Sequence, residues 1–459
     1  MSIDDYLNPG GSPESPPSLD QMDGETRILH QAVDAAMRRH GRAFLHPEGE
    51  SVPVDLFGSD GMVEWQEKKA LASFLGETCW SELRQAYGRY GSEPGRELIA
   101  RMRELENSRA VVLTDSGMQA VALLFDVLLE RGARAVVARG SYNKTKAYLS
   151  RLADRLGGSV RLVDEDDLTS VEGAISPETR ILFVETYSNP LLRAADPDAL
   201  SALARRARAK ASPALRLVVD STIATPWGLN TPLLDLGVDF VVASGTKALD
   251  GRDRNTWGYV ASNAVREMND LMDLQAMRGG VLDARRAKEV LAGLDQARRN
   301  FERRCHTASE VARFLSGHPR VAEVYHPSLP DHPDAAVIAR HYRLCGSLLS
   351  FRLRGADDQA TRHFCDVLAT TVVPRYALSF DGLVTKVNHH RSVSEYFTPE
   401  ADVRRLGVER LVRIGVGLEA PLDIVACLNW ALWNHERIPR ENVAAWRAKR
   451  QEELALPIG

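Results

Sequence analysis

Residues 218–251 read VVDSTIATPWGLNTPLLDLGVDFVVASGTKALDG, and this stretch decides the fold. It holds the ends of two short apolar runs rich in β-branched residues, LRLVV at 215–219 and DFVVA at 239–243. Small polar residues follow each run at once, Asp220-Ser221-Thr222 after the first and Ser244-Gly245-Thr246-Lys247 after the second. Runs of this length and composition predict strands that are buried on both faces, as in a mostly parallel sheet.

The same pattern continues upstream of this stretch. Strand-like runs alternate there with amphipathic segments that predict helices over 118–130 and 144–156. The strand-like runs are AVVLT (110–114), ARAVVAR (133–139), VRLVD (160–164) and ILFVET (181–186). Strands that alternate with helices indicate an α/β unit in which helices cover both faces of a mostly parallel sheet.

Beyond about Arg285 the pattern changes to long helices with occasional strands, which indicates a smaller α+β unit. Helices are predicted over 287–315, 335–342 and 358–368, and strands in RVAEVYH, LLSFRLR and LVRIGVG. We therefore divide the chain into an N-terminal tail and arm (1–85), a large α/β unit (86–285) and a C-terminal α+β unit (286–459). The first residues are acidic and rich in Pro, Ser and Gly, so we expect a mobile tail, followed by an arm that packs on a partner.

The overall composition is that of an ordinary globular protein, since 44% of the 459 residues are hydrophobic and 26% are charged. The net charge is only -4, which excludes a nucleic-acid binder that depends on a surplus of Lys and Arg. The sequence also lacks a signal peptide and any run of ~18 apolar residues that could span a membrane. Five cysteines without a CxxC pair suit a reducing compartment, so we expect a cytoplasmic protein.

Polar residues at the ends of the strands are the candidates for a functional site, because open parallel sheets bind ligands at the carboxyl ends of their strands. Ser116-Gly117 opens a helix after AVVLT, Asn189 follows ILFVE, and Asp220 and Lys247 end the two runs of residues 215–243. Each has a common structural explanation, as a helix cap, a turn residue or a surface charge. Together they place an anion site, an amide, a carboxylate and a lysine on one rim, and this set suits pyridoxal 5'-phosphate.

With these residues in place, the sequence resembles the pyridoxal-phosphate enzymes of cysteine and methionine metabolism, which include cystathionine γ-synthase, cystathionine γ-lyase and methionine γ-lyase. The resemblance runs from about Tyr87 to Leu432. Its most specific part is residues 218–251, similar to the family's Asp-Asn-Thr-x-x-Thr-Pro followed by Ser-x-Thr-Lys, and ETYSNP and TDSGMQA match two further family blocks. The resemblance implies the aspartate-aminotransferase-like fold, known as fold type I, with a smaller α+β C-terminal domain.

The resemblance also implies roles for particular residues. Lys247 would form the Schiff base with the cofactor, and Tyr142 would stack on the ring and help in proton transfer. Substrate contacts would come from Ser379 and from Arg413, the latter as a bidentate clamp on the α-carboxylate. The remaining cofactor contacts would come from Asp220 at the ring nitrogen, Thr222 beside it, Asn189 at the ring hydroxyl, and the Gly117 and Met118 amides with the Ser244 and Thr246 hydroxyls at the phosphate.

Tyr87 and Arg89 resemble the family's Tyr-x-Arg pair, which crosses a subunit interface to a neighbour's phosphate. The resemblance therefore implies a homodimer or homotetramer with shared active sites. Two positions depart from the family by adding a cation, Lys144 after Tyr142 and Arg252 after Lys247. Because such positions line the distal end of the substrate in relatives, the added cations favour an anionic or polar γ-substituent and a specialised member of the family.

The implied reaction is γ-elimination or γ-replacement on a γ-substituted L-amino acid through a vinylglycine-type ketimine, with Lys247 removing the α-proton. The sequence does not choose between release of a 2-oxo acid and addition of a nucleophile at Cγ. Three alternatives stay open. The first is β-elimination on the same scaffold, the second a serine acyl-enzyme built on Ser244-x-x-Lys247, and the third a homologue that binds the cofactor without turnover and serves as an assembly partner.

Overall fold

The computed structural model describes residues 17–31, 90–396 and 398–454. Its larger sheet has seven strands in the order β1-β7-β6-β5-β4-β2-β3. Strand β7 pairs antiparallel with both β1 and β6, and the other neighbouring pairs are parallel. The strands are β1 (Ala110–Thr114), β2 (Arg134–Ala138), β3 (Ser159–Val163), β4 (Thr179–Glu185), β5 (Arg216–Asp220), β6 (Phe240–Ser244) and β7 (Gly258–Ser262).

Helices cover both faces of the larger sheet. They are α1 (Glu93–Glu106), α2 (Gly117–Leu128), α3 (Asn143–Arg155), α4 (Leu168–Ala174), α5 (Pro197–Lys210) and α6 (Val265–Arg278). Every residue of β1 is buried, as expected for a strand between two helical layers. Along each strand, alternate residues belong to two separate apolar clusters, one on each face of the sheet. In the cluster that includes α2, Phe125 and Phe183 meet edge to face, with ring centroids 5.5 Å apart.

The smaller sheet has five strands in the order β10-β11-β12-β9-β8. They are β8 (Val321–Tyr325), β9 (Leu348–Leu353), β10 (Arg375–Tyr376), β11 (Lys386–His389) and β12 (Val412–Gly415). The accompanying helices are α7 (Ala284–Gly317), α8 (Ala335–His341), α9 (Asp358–Leu368), α10 (His390–Val393), α11 (Glu400–Leu406), α12 (Pro421–Asn434) and α13 (Arg440–Leu454).

Helix α7 joins the two sheets. Its first half, up to Cys305, packs into the core of the larger sheet, and its second half, from Ala308, packs into the core of the smaller one. The division of the chain at 285/286 stays a prediction, and this boundary falls in the first turn of a helix that serves both cores. The residues of the tail and arm before 17 and over 32–85 lie outside the described part of the chain.

Residues 24–31 are helical and pack on the smaller sheet of the same chain. Met22 is buried in its apolar core, and His30 Nε2 lies 2.9 Å from the Glu419 carboxylate with both side chains fully buried. This part of the predicted arm therefore contacts its own chain. None of the helices in the described ranges is long and apolar enough to cross a bilayer.

The predicted strands and helices are confirmed, with helix boundaries displaced by at most three residues. The elements that were not predicted are strands β7, β10 and β11 and helices α1, α4, α5, α6 and α10 to α13. The sequence GYVAS of β7 begins with glycine, which is a poor strand former, and the structure shows why glycine stands there. A Cβ on Gly258 would lie 2.7 Å from Gly117 Cα, so the start of α2 can approach β7 only in the absence of a side chain.

Candidate active site

A cavity of about 420 Å³ opens at the carboxyl ends of the parallel strands of the larger sheet. This volume lies in the range of small-molecule sites. Ten residues predicted from the sequence line it: Gly117, Met118, Tyr142, Asn189, Asp220, Thr222, Ser244, Thr246, Lys247 and Arg413. Ser379 does not line the cavity but contacts the Lys247 amine. The predicted interface residues Tyr87 and Arg89 lie outside the described residues.

One end of the cavity is the N-terminus of α2. Ser116 caps this helix by accepting a hydrogen bond from Gln119 N, and the first backbone N–H groups of a helix have no partner within it. A Cβ on Gly117 would stand 2.5 Å from Ser244 Cβ, so only glycine lets the helix start approach β6 this closely. Free N–H groups and the positive end of the helix dipole make this corner suitable for a phosphate.

The hydroxyl side chains beside this corner are held by backbone groups. Thr222 Oγ1 accepts a 2.9 Å hydrogen bond from Ser244 N, which links the ends of β5 and β6. Thr246 Oγ1 accepts a 3.0 Å hydrogen bond from Trp257 N and donates to Trp257 O at 3.3 Å. These contacts fix the loop that carries Lys247 against the start of β7.

Two carboxylates face the cavity side by side. Asp220 ends β5 and Glu185 ends β4, and they are partners in the register of the two strands. Asp220 Oδ1 accepts a 2.8 Å hydrogen bond from Thr222 N, and Glu185 Oε1 accepts a 2.6 Å hydrogen bond from Tyr142 N. Burial raises the pKa of Asp220 to about 6. The pKa of Glu185 is raised well above its usual value by burial and then by the charge of Asp220.

Within residues 17–31, 90–396 and 398–454, neither of these enclosed carboxylates forms an ion pair with a positively charged side chain. A protonated ring nitrogen placed beside Asp220 would supply a positive charge, because an opposite charge at short range favours the ionised carboxylate. The surroundings of Asp220 therefore fit a pyridinium.

Lys247 lines the cavity, and its amine contacts a loop of the smaller unit. Its Nζ donates a 2.6 Å hydrogen bond to Ser379 Oγ and lies 5.0 Å from the centroid of the Phe380 ring. Burial, and then the positive charge of Lys386, lower the pKa of the Lys247 amine to about 8. A lysine that loses its proton near neutral pH can act as a nucleophile and as a base.

Arg413 enters the cavity from β12 of the smaller sheet and is 3% exposed. It donates to Asn189 Oδ1 at 3.2 Å and to Leu378 O at 3.0 Å, and its guanidinium carbon lies 5.7 Å from the Phe380 ring centroid. Burial lowers the pKa of Arg413 to about 10. Tyr142 also lines the cavity and is 42% exposed, and the partial burial of its phenol raises its pKa.

The outer wall of the cavity is formed by Val393, Ser394 and Tyr396 of the smaller unit and by the first turn of α3. The Asn143 side-chain amide donates to Ser394 O and joins the two. Lys144 lines the cavity, with its Nζ 5.4 Å from the centroid of the Tyr396 ring. Arg252, the other added cation, lies elsewhere, because its guanidinium carbon is 3.3 Å from where a Cβ on Gly293 of α7 would stand.

Several lining residues were missed in the sequence. Glu185 is an acid at the end of a buried strand, so the position used to find Asp220 would also have found it. Phe380, Val393, Ser394 and Tyr396 reach the cavity from a distant part of the chain, and no local sequence pattern marks them. Thr256 also lines the cavity and accepts a 3.0 Å hydrogen bond from Arg286.

The lysine, the enclosed carboxylate pair and the glycine-lined helix start define a class of protein, the fold type I enzymes that use pyridoxal phosphate. The chain belongs to the Cys/Met metabolism PLP-dependent enzymes, whose family pattern matches residues 73–433. Family, fold type, enzymatic nature and cofactor are thereby confirmed. The acyl-enzyme alternative is wrong, and Ser244 ends a strand instead of opening the helix that this alternative requires.

Individual relatives agree with this assignment. L-methionine gamma-lyase of Pseudomonas deceptionensis is 34% identical over 337 residues, which cover 73% of this chain and 82% of that protein. O-succinylhomoserine sulfhydrylase of Pseudomonas aeruginosa is 32% identical over 396 residues, covering 86% of this chain and 92% of that one. The crystal structure of metB from Corynebacterium glutamicum superposes with a TM-score of 0.70 at 28% identity, over 76% of this chain and 87% of that chain.

Proposed function

We propose that this enzyme catalyses γ-elimination or γ-replacement on a γ-substituted L-amino acid. The observation that carries the proposal is that Lys247, Asp220 and Arg413 all line one cavity. Bound pyridoxal phosphate would supply an electron sink for the carbanions of the substrate. The relatives named above as a γ-lyase and a sulfhydrylase support this class of reaction for the family.

Lys247 is proposed as the residue that holds the cofactor and, once free, as the general base at Cα. Its lowered pKa, about 8, leaves a substantial neutral fraction near physiological pH. Ser379 Oγ, at 2.6 Å from Nζ, would orient the amine lone pair. Asp220 is proposed to keep the ring nitrogen protonated, and the N-terminus of α2 with Ser244 and Thr246 is proposed to hold the phosphate.

Arg413 is proposed to bind the α-carboxylate of the substrate. Its guanidinium is buried, bonded to neutral acceptors on Asn189 and Leu378, and able to form a bidentate pair with a carboxylate. Asn189 would then have two duties, positioning Arg413 and contacting the ring hydroxyl. Tyr142 would stack on the ring and assist proton transfer.

We further propose that the γ-substituent is anionic or polar, which would make this a specialised member of the family. Lys144 supports this proposal, since its ammonium group lines the outer part of the cavity and the Tyr396 ring lies beside it. Arg252 gives no support, because it packs towards Gly293 and does not line the cavity. The active site is also proposed to require at least a dimer, on the resemblance of Tyr87 and Arg89 alone.

The test begins with the absorption spectrum of the purified enzyme and of Lys247→Ala. The wild type should show the visible band of lysine-bound cofactor and Lys247→Ala should lose it, whereas Lys210→Ala, at an exposed position, should keep it. An unchanged spectrum in Lys247→Ala would contradict the assignment.

A substrate panel then separates the reactions. γ-Substituted amino acids with methylthio, neutral acyl and carboxylate-terminated acyl groups are supplied with and without an added thiol. Release of 2-oxobutanoate indicates γ-elimination, and a new thioether formed only with the thiol indicates γ-replacement. Pyruvate from a cystine-like substrate indicates β-elimination instead. A coloured enzyme that releases no product from any substrate would favour the cofactor-binding homologue without turnover.

A further inference from the structure

A buried group of charges lies directly behind Lys247. Lys386 Nζ is 2.5 Å from Asp253 Oδ1, and the two side chains are only 9% and 11% exposed. Arg304 Nε is 3.8 Å from Asp381 Oδ1, with exposures of 0% and 2%. Lys386 Nζ also donates to the backbone carbonyl of Asp381, so the two pairs form one cluster.

The cluster connects the two chain segments that flank the Lys247 amine. Asp253 lies six residues after Lys247, and Lys386 lies seven residues after Ser379, the residue that accepts the amine's hydrogen bond. The Asp253–Lys386 pair therefore ties the lysine loop of the larger unit to the serine loop of the smaller one. A change in this pair would be transmitted to both ends of the Lys247–Ser379 contact.

The backbone of both loops is shaped around the pair. Asp253 and Asp381 have positive φ angles of 56° and 58°, in the left-handed region that few non-glycine residues adopt. Gly382, at φ 120°, packs so closely that a Cβ there would overlap the Asp253 carboxylate. Arg304 closes the cluster by donating a 2.9 Å hydrogen bond to Gly382 O. The geometry is thus built to bring these charges together.

Stability is a poor explanation for such a cluster. Taking charges out of water costs free energy that the ion pair in general does not fully recover, and apolar residues of the same volume often do as well. A purely structural contact between two loops could use leucine or methionine. The presence of a buried cation and a buried anion next to a lysine amine calls for an electrostatic explanation.

We propose that Asp253 and Lys386 are positioning residues for Lys247: the pair locks the lysine loop to the Ser379 loop and sets two opposite, balanced charges beside the amine. The proposal rests on the proposed function of Lys247. Neither residue lines the cavity, so neither is proposed to contact substrate or cofactor.

The charges that face Lys247 come from every element around it. Lys386 and Arg413 disfavour the protonated amine, and Asp381 and Asp253 favour it, with burial the largest influence. Further groups of the same cavity and cluster are Asp220 on β5, Glu185 on β4, Arg304 on α7, and Tyr142 and Lys144 at the start of α3. The pKa of Lys247 is about 8 with this set in place.

Opposite substitutions separate the electrostatic role from a structural one. Lys386→Met leaves the Asp253 carboxylate uncompensated, which should raise the pKa of Lys247. Asp253→Asn leaves the Lys386 ammonium uncompensated, which should lower it. Each shift should be about one pH unit, as for one charge at short range, and the double variant should return close to the wild type. Lys210→Met removes a lysine from an exposed pair with Glu172 and is the matched control.

The measurement is competitive acetylation of the full-length, cofactor-free protein across a pH series, read lysine by lysine by mass spectrometry. Midpoints of Lys247 that move in opposite directions in the two single variants support the proposal. Midpoints that move in the same direction, or do not move while thermal unfolding shows both variants folded, overturn it. Should one single variant not fold, the other still decides, because the Lys247 midpoint must rise in Lys386→Met and fall in Asp253→Asn. A double variant whose midpoint departs from that of the wild type also overturns the proposal.

The same samples distinguish failure of this inference from failure of the proposed function. Each protein is afterwards mixed with pyridoxal phosphate and its visible spectrum recorded. A wild type that stays colourless removes the proposed role of Lys247, whatever the acetylation midpoints are. A wild type that becomes coloured, with unshifted midpoints in the variants, removes only the role of Asp253 and Lys386.

Discussion

Arg413 reaches across from the smaller sheet to the larger one and donates a 3.2 Å hydrogen bond to Asn189 Oδ1. The contact joins β12 to the segment that follows β4 at the edge of the cavity. Its other acceptor, Leu378 O, is also neutral, and within residues 90–396 and 398–454 no carboxylate forms an ion pair with this guanidinium. Arg413 is therefore held in place without having its charge neutralised, which suits the binding of an anionic group.

Arg413→Lys should raise KM more than it lowers kcat. The substitution keeps the charge but loses the planar pair of donors and the contact with Asn189, so binding of the α-carboxylate should weaken by at least about tenfold, or about 1.4 kcal/mol. Steady-state kinetics on the best substrate of the panel measure both constants. Arg354→Lys, at a guanidinium bonded to Pro319 O and Val321 O far from the cavity, is the control. Equal kinetics in the two variants would contradict the assignment.

Asp220→Asn should separate activity from stability. The amide can still accept the hydrogen bond from Thr222 N, but it cannot balance a protonated ring nitrogen, so kcat should fall by about 100-fold or more. Burial raises the pKa of Asp220 to about 6, which means that the fold disfavours its charge, and the cofactor-free variant should unfold at the same temperature as the wild type or above it. A variant that loses Tm and activity together would indicate a structural role.

Gly117→Ala should weaken cofactor binding. The added methyl would stand 2.5 Å from Ser244 Cβ, so either the start of α2 or the end of β6 must move at the corner proposed for the phosphate. We expect the dissociation constant for pyridoxal phosphate to rise by at least about tenfold. Gly173→Ala is the control, because a Cβ on this helical glycine meets no atom within 4 Å. Equilibrium dialysis that gives the same constant for both would refute the proposed phosphate corner.

Lys144→Met should change the choice of substrate and Arg252→Met should not. Only Lys144 lines the cavity, so only its loss removes a positive charge from the region proposed for the γ-substituent. We expect the ratio of kcat/KM for a carboxylate-terminated substituent over a methylthio one to fall by about tenfold in Lys144→Met, the usual size of one charge contact. A ratio that is the same in both variants would remove the argument for an anionic group.

Much of the fold and the inner half of the site could be predicted because both follow from local rules. Buried strands appear as short β-branched runs, and the residues after them must meet at one edge of a parallel sheet. This rule alone brings Lys247, Asp220 and Asn189 to one edge, and all three line the cavity. The helix start at Gly117 could also be predicted, because Ser116 before it is a typical N-cap residue.

The outer half of the site could not be predicted in this way. Phe380, Ser394 and Tyr396 come from loops whose positions depend on how the smaller unit packs against the larger one. The periodicity of the sequence does not indicate that packing. The Asp253–Lys386 pair joins residues 133 positions apart and consists of charges that look like surface residues in the sequence. Arg252 was expected near the substrate because it is close to Lys247 in the sequence, but it does not line the cavity.

His326 should make the protein sensitive to acid. It follows β8, is fully buried, and burial lowers its pKa to about 3. In the unfolded chain the imidazole has its ordinary pKa near 6.5, so below this pH it binds a proton that it does not bind in the folded chain. The free energy of unfolding therefore falls as the pH falls from about 6.5 towards 3. His326→Gln should lack this loss. As the pH falls, the free energy of unfolding of the variant should therefore rise relative to that of the wild type by up to about 1.4 kcal/mol per pH unit. Urea denaturation at several pH values tests this, because curves that stay parallel below pH ~6 would show that His326 takes up its proton without unfolding.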